Sequence, residues 1–250
     1  MSDYLNKIWN ILSFPEKALL EKRIPKKQFL ESGRLTGNDK KLFRDNVKNV
    51  YWQYTLKPST CPVLPYRDND REYLEVAILH VELVSQKGLP RIAEIIHRTI
   101  PYPMKLVFTN NEENLAFSIA PKRFSQAEQG AFVVESFFTT TWLDDISFSP
   151  ASEFIASLNW NVLSLSNFGV LYREWIDRFI AFESALKSGA FRLGNTESRQ
   201  ETLESYKDLE YQIVELKSQI KKAAFNKQVE LNTELKKKEQ ELKHLATSLT

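Results

Sequence analysis

The stretch from Thr196 to Leu249 contains neither glycine nor proline, and apolar residues return in it every eleven positions. One row is Leu209, Ile220, Leu231 and Leu242; a second, four residues behind, is Ile213, Ala224, Leu235 and Ala246. Such a repeat corresponds to ~3.67 residues per turn, so both rows fall on one stripe of a nearly straight helix. A heptad frame starts well (Leu209, Ile213, Leu216, Ile220) but lands on Lys227 and Glu230 further on. The other positions are mostly Lys, Glu, Gln and Asn, and a helix this polar gains stability only by burying its narrow apolar edge. Read as one helix of about 45–50 residues, the segment extends roughly 70 Å, too long to pack wholly on the domain before it. The stripe Leu209, Ile213, Leu216, Ile220, Ala224, Leu231, Leu235 and Leu242 is therefore expected to make a coiled-coil contact. Its partner would be a second copy, another protein or the chain's own segment 152–187. The competing arrangements are a solvated single helix and a hairpin folded near Asn226.

The residues before this tail alternate between helix and strand signals. Tyr4 to Leu20 reads as helix interrupted at Ser13-Phe-Pro15, and Asn38-Asp39 as the start of a second helix over 40–49. Val50 to Leu56 is a strand rich in aromatic and branched residues. Tyr73 to Val84 alternates as a central strand covered on both faces, with Leu74, Val76, Ile78, His80 and Glu82 on one side. A helix over Leu89–Ile100 ends at Pro101-Tyr-Pro103; Met104–Thr109 and Leu115–Ala120 form a hairpin, and Ala131–Trp142 is a further strand. Helices follow over 152–163 and 167–186, then a break over Ser188–Asn195. The order predicts an α+β domain over residues 1–150, with a mixed or antiparallel sheet and helices on one face. A helical connector (151–195) and the C-terminal coiled-coil helix (196–250) would follow it.

Composition narrows the function. With 34 basic and 32 acidic residues the chain has a net charge of +2, which is no polyanion-binding footprint by itself. One cysteine excludes an internal disulfide, and three histidines make a multi-histidine metal centre improbable. No phosphate-cradling glycine loop and no hydrolase or zinc-protease signature occurs. Neither a cofactor nor a metal site is expected. Lack of a signal-peptide pattern or spanning segment points to the cytoplasm.

The best enzymatic candidate is a metal-dependent nuclease built on Glu75 and Glu82. It needs an acid-x-Lys unit, but the chain reads Glu82-Leu83-Val84, with Lys87 beyond the strand. Glu75 and Glu82 also have opposite parity, so they point to opposite faces of a regular strand. His80 and Glu82 share a face and read as a structural pair or two ligands lacking a third. His97, on a helix beside Arg98, is expected at the surface; Cys61 lacks a neighbour that would activate it. Two basic clusters, Arg23/Lys26/Lys27 and Lys122/Arg123, would make a modest phosphate-binding face if brought together near Tyr51, Trp52 or Tyr54. Ordinary solubility charge is the simpler reading.

Arg23-Ile-Pro-Lys-Lys-Gln-Phe29, Leu42 to Leu56 with its Val-Tyr-Trp-Gln-Tyr-Thr-Leu run, Thr99-Ile-Pro-Tyr-Pro103 with its following hairpin, and the Lys/Glu-rich tail together resemble domain-of-unknown-function family 4391. The resemblance implies a setting in restriction-like and anti-phage defence loci, beside helicase and DNA methyltransferase genes. It transfers no catalytic residue. The expected role is a non-catalytic accessory subunit docking through the tail onto a helicase, nuclease or methyltransferase subunit. The alternative is a nuclease or DNA-binding effector of such a system.

Overall fold

The computed structural model describes residues 3–31, 35–125, 131–147, 149–194 and 196–249; Asn195, the last residue of the expected break, lies outside them. The chain divides into two compact units, one ending at Phe179 and one beginning at Ile180.

The first unit opens with α1 (Asp3–Leu12) and a short 3-10 turn, Glu16–Ala18. Then comes β1 (Leu19–Arg23), a strand where the sequence predicts the end of a helix. Ser13 in a left-handed conformation and Pro15 end the helix, as expected. What the pattern misses is that all five β1 residues are exposed, so they carry no inward–outward alternation. α2 (Lys27–Leu30) and α3 (Gly37–Asn46) follow. Thr36 caps α3: its Oγ1 accepts from the Asp39 amide at 3.2 Å, and Asp39 Oδ2 accepts from the Thr36 amide at 3.0 Å. Asp39 is thus the reciprocal partner of a capping box, and the helix starts earlier than Asn38-Asp39 suggests.

Next are β2 (Val47–Leu56), the small ladder of β3 (Tyr66–Arg67) with β4 (Glu72–Tyr73), and β5 (Val76–Leu83). Gly88, at φ 72°, makes the turn into α4 (Leu89–Thr99), which carries Pro90 in its first turn. β6 (Met104–Thr109) and β7 (Leu115–Ile119) form the expected hairpin. The single strand predicted over 131–142 is two: β9 (Phe132–Val134), paired with β8 (Lys122–Phe124), and β10 (Phe138–Thr139), paired with β7. α5 (Ala151–Ser157), a 3-10 turn at Trp160–Val162 and α6 (Phe168–Ser188) follow.

The main sheet has the order β1-β2-β5-β6-β7-β10 and is mixed: β5 and β6, joined through α4, are parallel, and all other neighbours are antiparallel. Helices cover both of its faces, not one. Ala77, Leu79, Val81 and Leu83 of β5 join Phe29, Phe43, Ile92 and Ile96 of α2, α3 and α4 in one core layer. On the opposite face Trp9 of α1 packs against Tyr54 and His80, Phe154 of α5 meets Phe117, and the Tyr172 hydroxyl of α6 donates to the Met104 carbonyl. β5 is buried on both sides, so a second helical layer is required.

The second unit holds the end of α6, α7 (Thr196–Ile220) and α8 (Phe225–Ser248). The tail is two helices of 25 and 24 residues instead of one continuous rod. Ion pairing of Lys217 with Glu239 and a Lys238–Gln212 hydrogen bond set them antiparallel. The turn needs no glycine. Lys222 and Ala223 amides bond back to Gln219 and Ile220 carbonyls, Ala224 is extended, and Gln228 Nε2 donates to the Ala223 carbonyl. Each half of the apolar stripe finds its cover within the chain, which removes the need for a 70 Å helix. Among the described residues no helix is long and apolar enough to cross a membrane.

Candidate functional site

The carboxyl ends of the parallel pair β5 and β6 are where the buried strands turn polar. In sheets of this kind ligands gather outside such ends. His80 and Glu82 project from the same face of β5, and the register sets Tyr51 opposite His80 and Asn49 opposite Glu82. Asn49 Nδ2 donates to Glu82 Oε2 at 2.6 Å, while His80 Nε2 and Thr109 Oγ1 are 2.8 Å apart. The Tyr51 ring stacks on His80 with centroids 6.0 Å apart, and Trp9 meets it edge-on. Burial lowers the His80 pKa to about 4 despite the opposing charge of Glu82, so the imidazole is neutral. It is held as a packed, hydrogen-bonded side chain.

Two adjoining cavities border this pair. One, of about 300 Å³, is lined by Leu5, Glu21, Tyr51, Gln53, His80 and Glu82, with Gln53 Nε2 donating to Glu21 at 3.2 Å. The other, of about 370 Å³, brings Glu82 together with Tyr4, Lys48, Thr109, Asn110 and Glu113. Burial, then the Glu113 charge, pushes the Tyr4 phenol up to about 12. Lys48 and Glu113 are the members that sequence reasoning missed, because they sit on a neighbouring strand and in a turn with no local motif. Glu75 is absent from the cleft: it precedes β5, seven residues from Glu82, or roughly 23 Å of extended chain. The two carboxylates first paired as nuclease ligands are therefore not brought together. Val84, in the lysine position of the acid-x-Lys unit, is exposed. Among the described residues no group of three or more His, Cys, Asp or Glu is placed to hold a metal ion.

The structure changes the reading of several other residues. His97 is buried, not at the surface: its Nε2 lies 3.1 Å from Ser118 Oγ, and burial, then the charge of Lys122, holds its pKa well below the ordinary histidine value. Cys61 is buried, with burial raising its thiol pKa. Lys105, unremarked in the sequence, is wholly buried on β6 among Phe14, Phe117 and Trp175, 4.9–5.8 Å from the ring centres. Its amine has no hydrogen-bond partner among the described residues, and burial, then Arg178, drive its pKa well below that of an ordinary lysine.

The two basic clusters separate into roles. Lys26 Nζ donates to the carbonyls of Arg44 and Val47 at the end of α3, and Lys27 pairs with Glu31. Lys122 is buried, its ammonium donating to the carbonyls of Ile100 and Tyr102, so it is not presented to a polyanion. Arg123 lies beside Glu135 at 3.9 Å. Of the five, Arg23 stays exposed and free of an acidic partner among the described residues, beside Trp52 in a groove at the β1 edge. Tyr51 faces His80, and Tyr54 is buried against Trp9 and Phe14.

In the hairpin, Leu209, Ile213, Leu216 and Leu231 of the expected interface are buried, Ile220, Leu235 and Leu242 are half-buried, and Ala224 is exposed in the turn. The stripe is thus largely interior to the second unit, where Lys187 and Glu183 of α6 also pair with Glu210 and Lys207. Other apolar residues face out. Tyr211 (71%) and Val214 (66%) are exposed on α7, and Phe225 (77%) and Val229 (56%) at the start of α8.

No curated protein and no solved structure is significantly similar to the chain. The family model for a domain of unknown function, DUF4391, matches residues 12–242, which takes in both units from the end of α1 to the last turns of α8. The chain belongs to the DUF4391 family.

Proposed function

We propose that the chain is a non-catalytic accessory subunit of a bacterial restriction-like or anti-phage defence complex, and that it docks through its C-terminal helical hairpin. The observation that carries this is the exposure of Tyr211, Val214, Phe225 and Val229 on two helices whose other outward positions are overwhelmingly charged or amide. A helical hairpin already buries its inner stripe against itself, so apolar residues left outside serve no internal packing. Exposed aromatic and aliphatic groups on a charged surface are the composition of an interface centre with a polar rim. Docking is thereby moved from the inner stripe to the outer side of the hairpin. The test is co-expression with the products of the flanking genes, followed by size exclusion. The intact chain should co-elute with a helicase, nuclease or methyltransferase subunit, and Phe225→Ser with Val229→Ser should weaken the complex at least tenfold, a loss of ~1.4 kcal/mol or more. Failure of the intact chain to associate with any neighbour sinks the reading.

A second reading rests on Glu82, Glu113 and Lys48 sharing one cleft. Two carboxylates and a lysine are the side-chain types a metal-dependent nuclease uses to hold a divalent ion and steady a phosphate. Magnesium-dependent cleavage of DNA that disappears in Glu82→Gln would support it; absence of cleavage by the intact chain would remove it.

A further inference from the structure

A groove of about 430 Å³ runs beside the edge strand β1, between Lys22, Arg23, Gln28 and Trp52 on one side and Ile100-Pro101 on the other, with Phe29 at its base. We infer that this groove binds single-stranded nucleic acid, seating one nucleotide at a time with its phosphate on Lys22 and Arg23 and its base against the Trp52 wall. The inference goes beyond the docking reading and uses the first unit, not the hairpin.

Charge is the first argument. Lys22 and Arg23 are exposed neighbours, and neither side chain has a carboxylate or hydrogen-bond partner among the described residues. Several other cations of this unit are already engaged: Lys26 and Lys122 hold carbonyls, while Arg67, Arg71, Arg91 and Arg98 hold carboxylates. The second argument is the wall. Trp52 stands directly opposite Lys22 in the β1–β2 register, so the two share a face; Arg23, one position on and opposite Tyr51, alternates away from that face but still lines the groove. Exposed Tyr102 packs edge-on to Trp52 with ring centres 5.6 Å apart. Cations flanking aromatic rings over an apolar base suit a ligand that is anionic at one end and flat at the other. The volume lies within the roughly 300–1,000 Å³ of small-ligand sites, enough for one nucleotide unit of a longer strand.

The wall is also fixed in advance. Lys122, from inside the fold, donates to the carbonyls of Ile100 and Tyr102, holding the loop after α4 in place. Lys122, one of the two basic residues noticed at 122–123, therefore acts on this groove from behind. An acidic peptide adding to β1 is the competing occupant. β1 is poorly made for it: the register slips between Leu19 and Lys22, and Glu21 takes a left-handed φ of 53°. Bulges of this kind blunt an edge against strand addition.

The experiment is fluorescence anisotropy of a labelled short oligothymidylate titrated with the full chain across a salt series. Competitors are adenosine monophosphate, the matching duplex and poly-glutamate. Binding should weaken with salt, and Lys22→Glu and Arg23→Glu, both surface changes, should each reduce affinity roughly tenfold and flatten the salt slope. Trp52→Phe should retain the salt slope while losing several-fold in affinity, with circular dichroism confirming an intact fold. Wild-type binding by both charge variants, or no salt-sensitive binding at all, overturns the inference. So does displacement by the mononucleotide as efficient as by the oligonucleotide, which would mean a free nucleotide, or a preference for poly-glutamate, which would mean an acidic peptide.

Discussion

At the scale of single residues the fold carries more buried polar chemistry than its sequence suggests, and His80 is the place to measure it. Its pKa of about 4 lies below the ordinary 6.5 because the imidazole is enclosed by Trp9, Tyr51 and Thr109. Between those two values the unfolded chain takes up a proton that the folded chain refuses. Stability is therefore full above about pH 6.5 and falls as the pH drops toward 4, by roughly 3 kcal/mol in total at 1.36 kcal/mol per pKa unit. Buried His97 acts in the same direction. Asp39, held down by Arg91 and Thr36, acts only below the usual carboxylate range, which separates the two windows. Urea unfolding at pH 7 and pH 5 should show a smaller loss in His80→Gln than in the parent chain, by about 2 kcal/mol. Equal losses would mean that the imidazole is not held neutral. Lys105 and Glu113 belong to the same class of residue that sequence reading passes over. A lone lysine in an alternating strand looks like an outward residue until the helices covering that face are placed, and Glu113 is only one polar residue in a turn.

Among the elements, legibility followed burial. β5, β6, β7 and α4 were readable because one or both of their faces are apolar at the period of the element. β1 was not, because an edge strand with every residue exposed has no period, and the split of β9 from β10 was hidden within one aromatic-rich run. The second layer of helices was legible only indirectly, from β5 being apolar on both sides. The tail shows the limit most clearly. Its eleven-residue rows were real, but a stripe records that something covers it and not what does. The fold back at 221–224 uses backbone and Gln228 contacts that leave no glycine or proline mark. If α7 and α8 hold each other, the pairing should be sensitive at Leu231, the one residue of α8 that is buried. Burying a leucine contributes about 1.5–3 kcal/mol, and a 24-residue helix stripped of its packing is marginal. Leu231→Glu should therefore speed hydrogen exchange across 225–248 while leaving the amides of β5 and β6 protected. Uniform exchange changes in both regions, or none, would contradict the hairpin.

For the whole molecule, the division at 179/180 predicts two kinds of unfolding rather than one. The first unit owns a six-stranded sheet packed on both faces, with most of the chain's fully buried large side chains. The second owns a polar helical assembly whose buried residues are few and whose ion pairs are partly exposed, each contributing ~1 kcal/mol or less. Local stability follows buried apolar contact, so the second unit should open first. Nature has supplied the probes: all five tryptophans, at 9, 52, 142, 160 and 175, lie in the first unit, whereas the two longest helices, α7 and α8, lie in the second. Tryptophan fluorescence then reports only the sheet-bearing unit, and far-ultraviolet circular dichroism reports both. In a urea titration the dichroism should begin to fall at lower denaturant than the fluorescence, with a first step that Leu231→Glu enlarges or shifts downward and a second step that it leaves in place. Coincident curves from the two probes, unchanged in relation by that substitution, would mean that the chain unfolds as one cooperative body and that the division carries no thermodynamic weight.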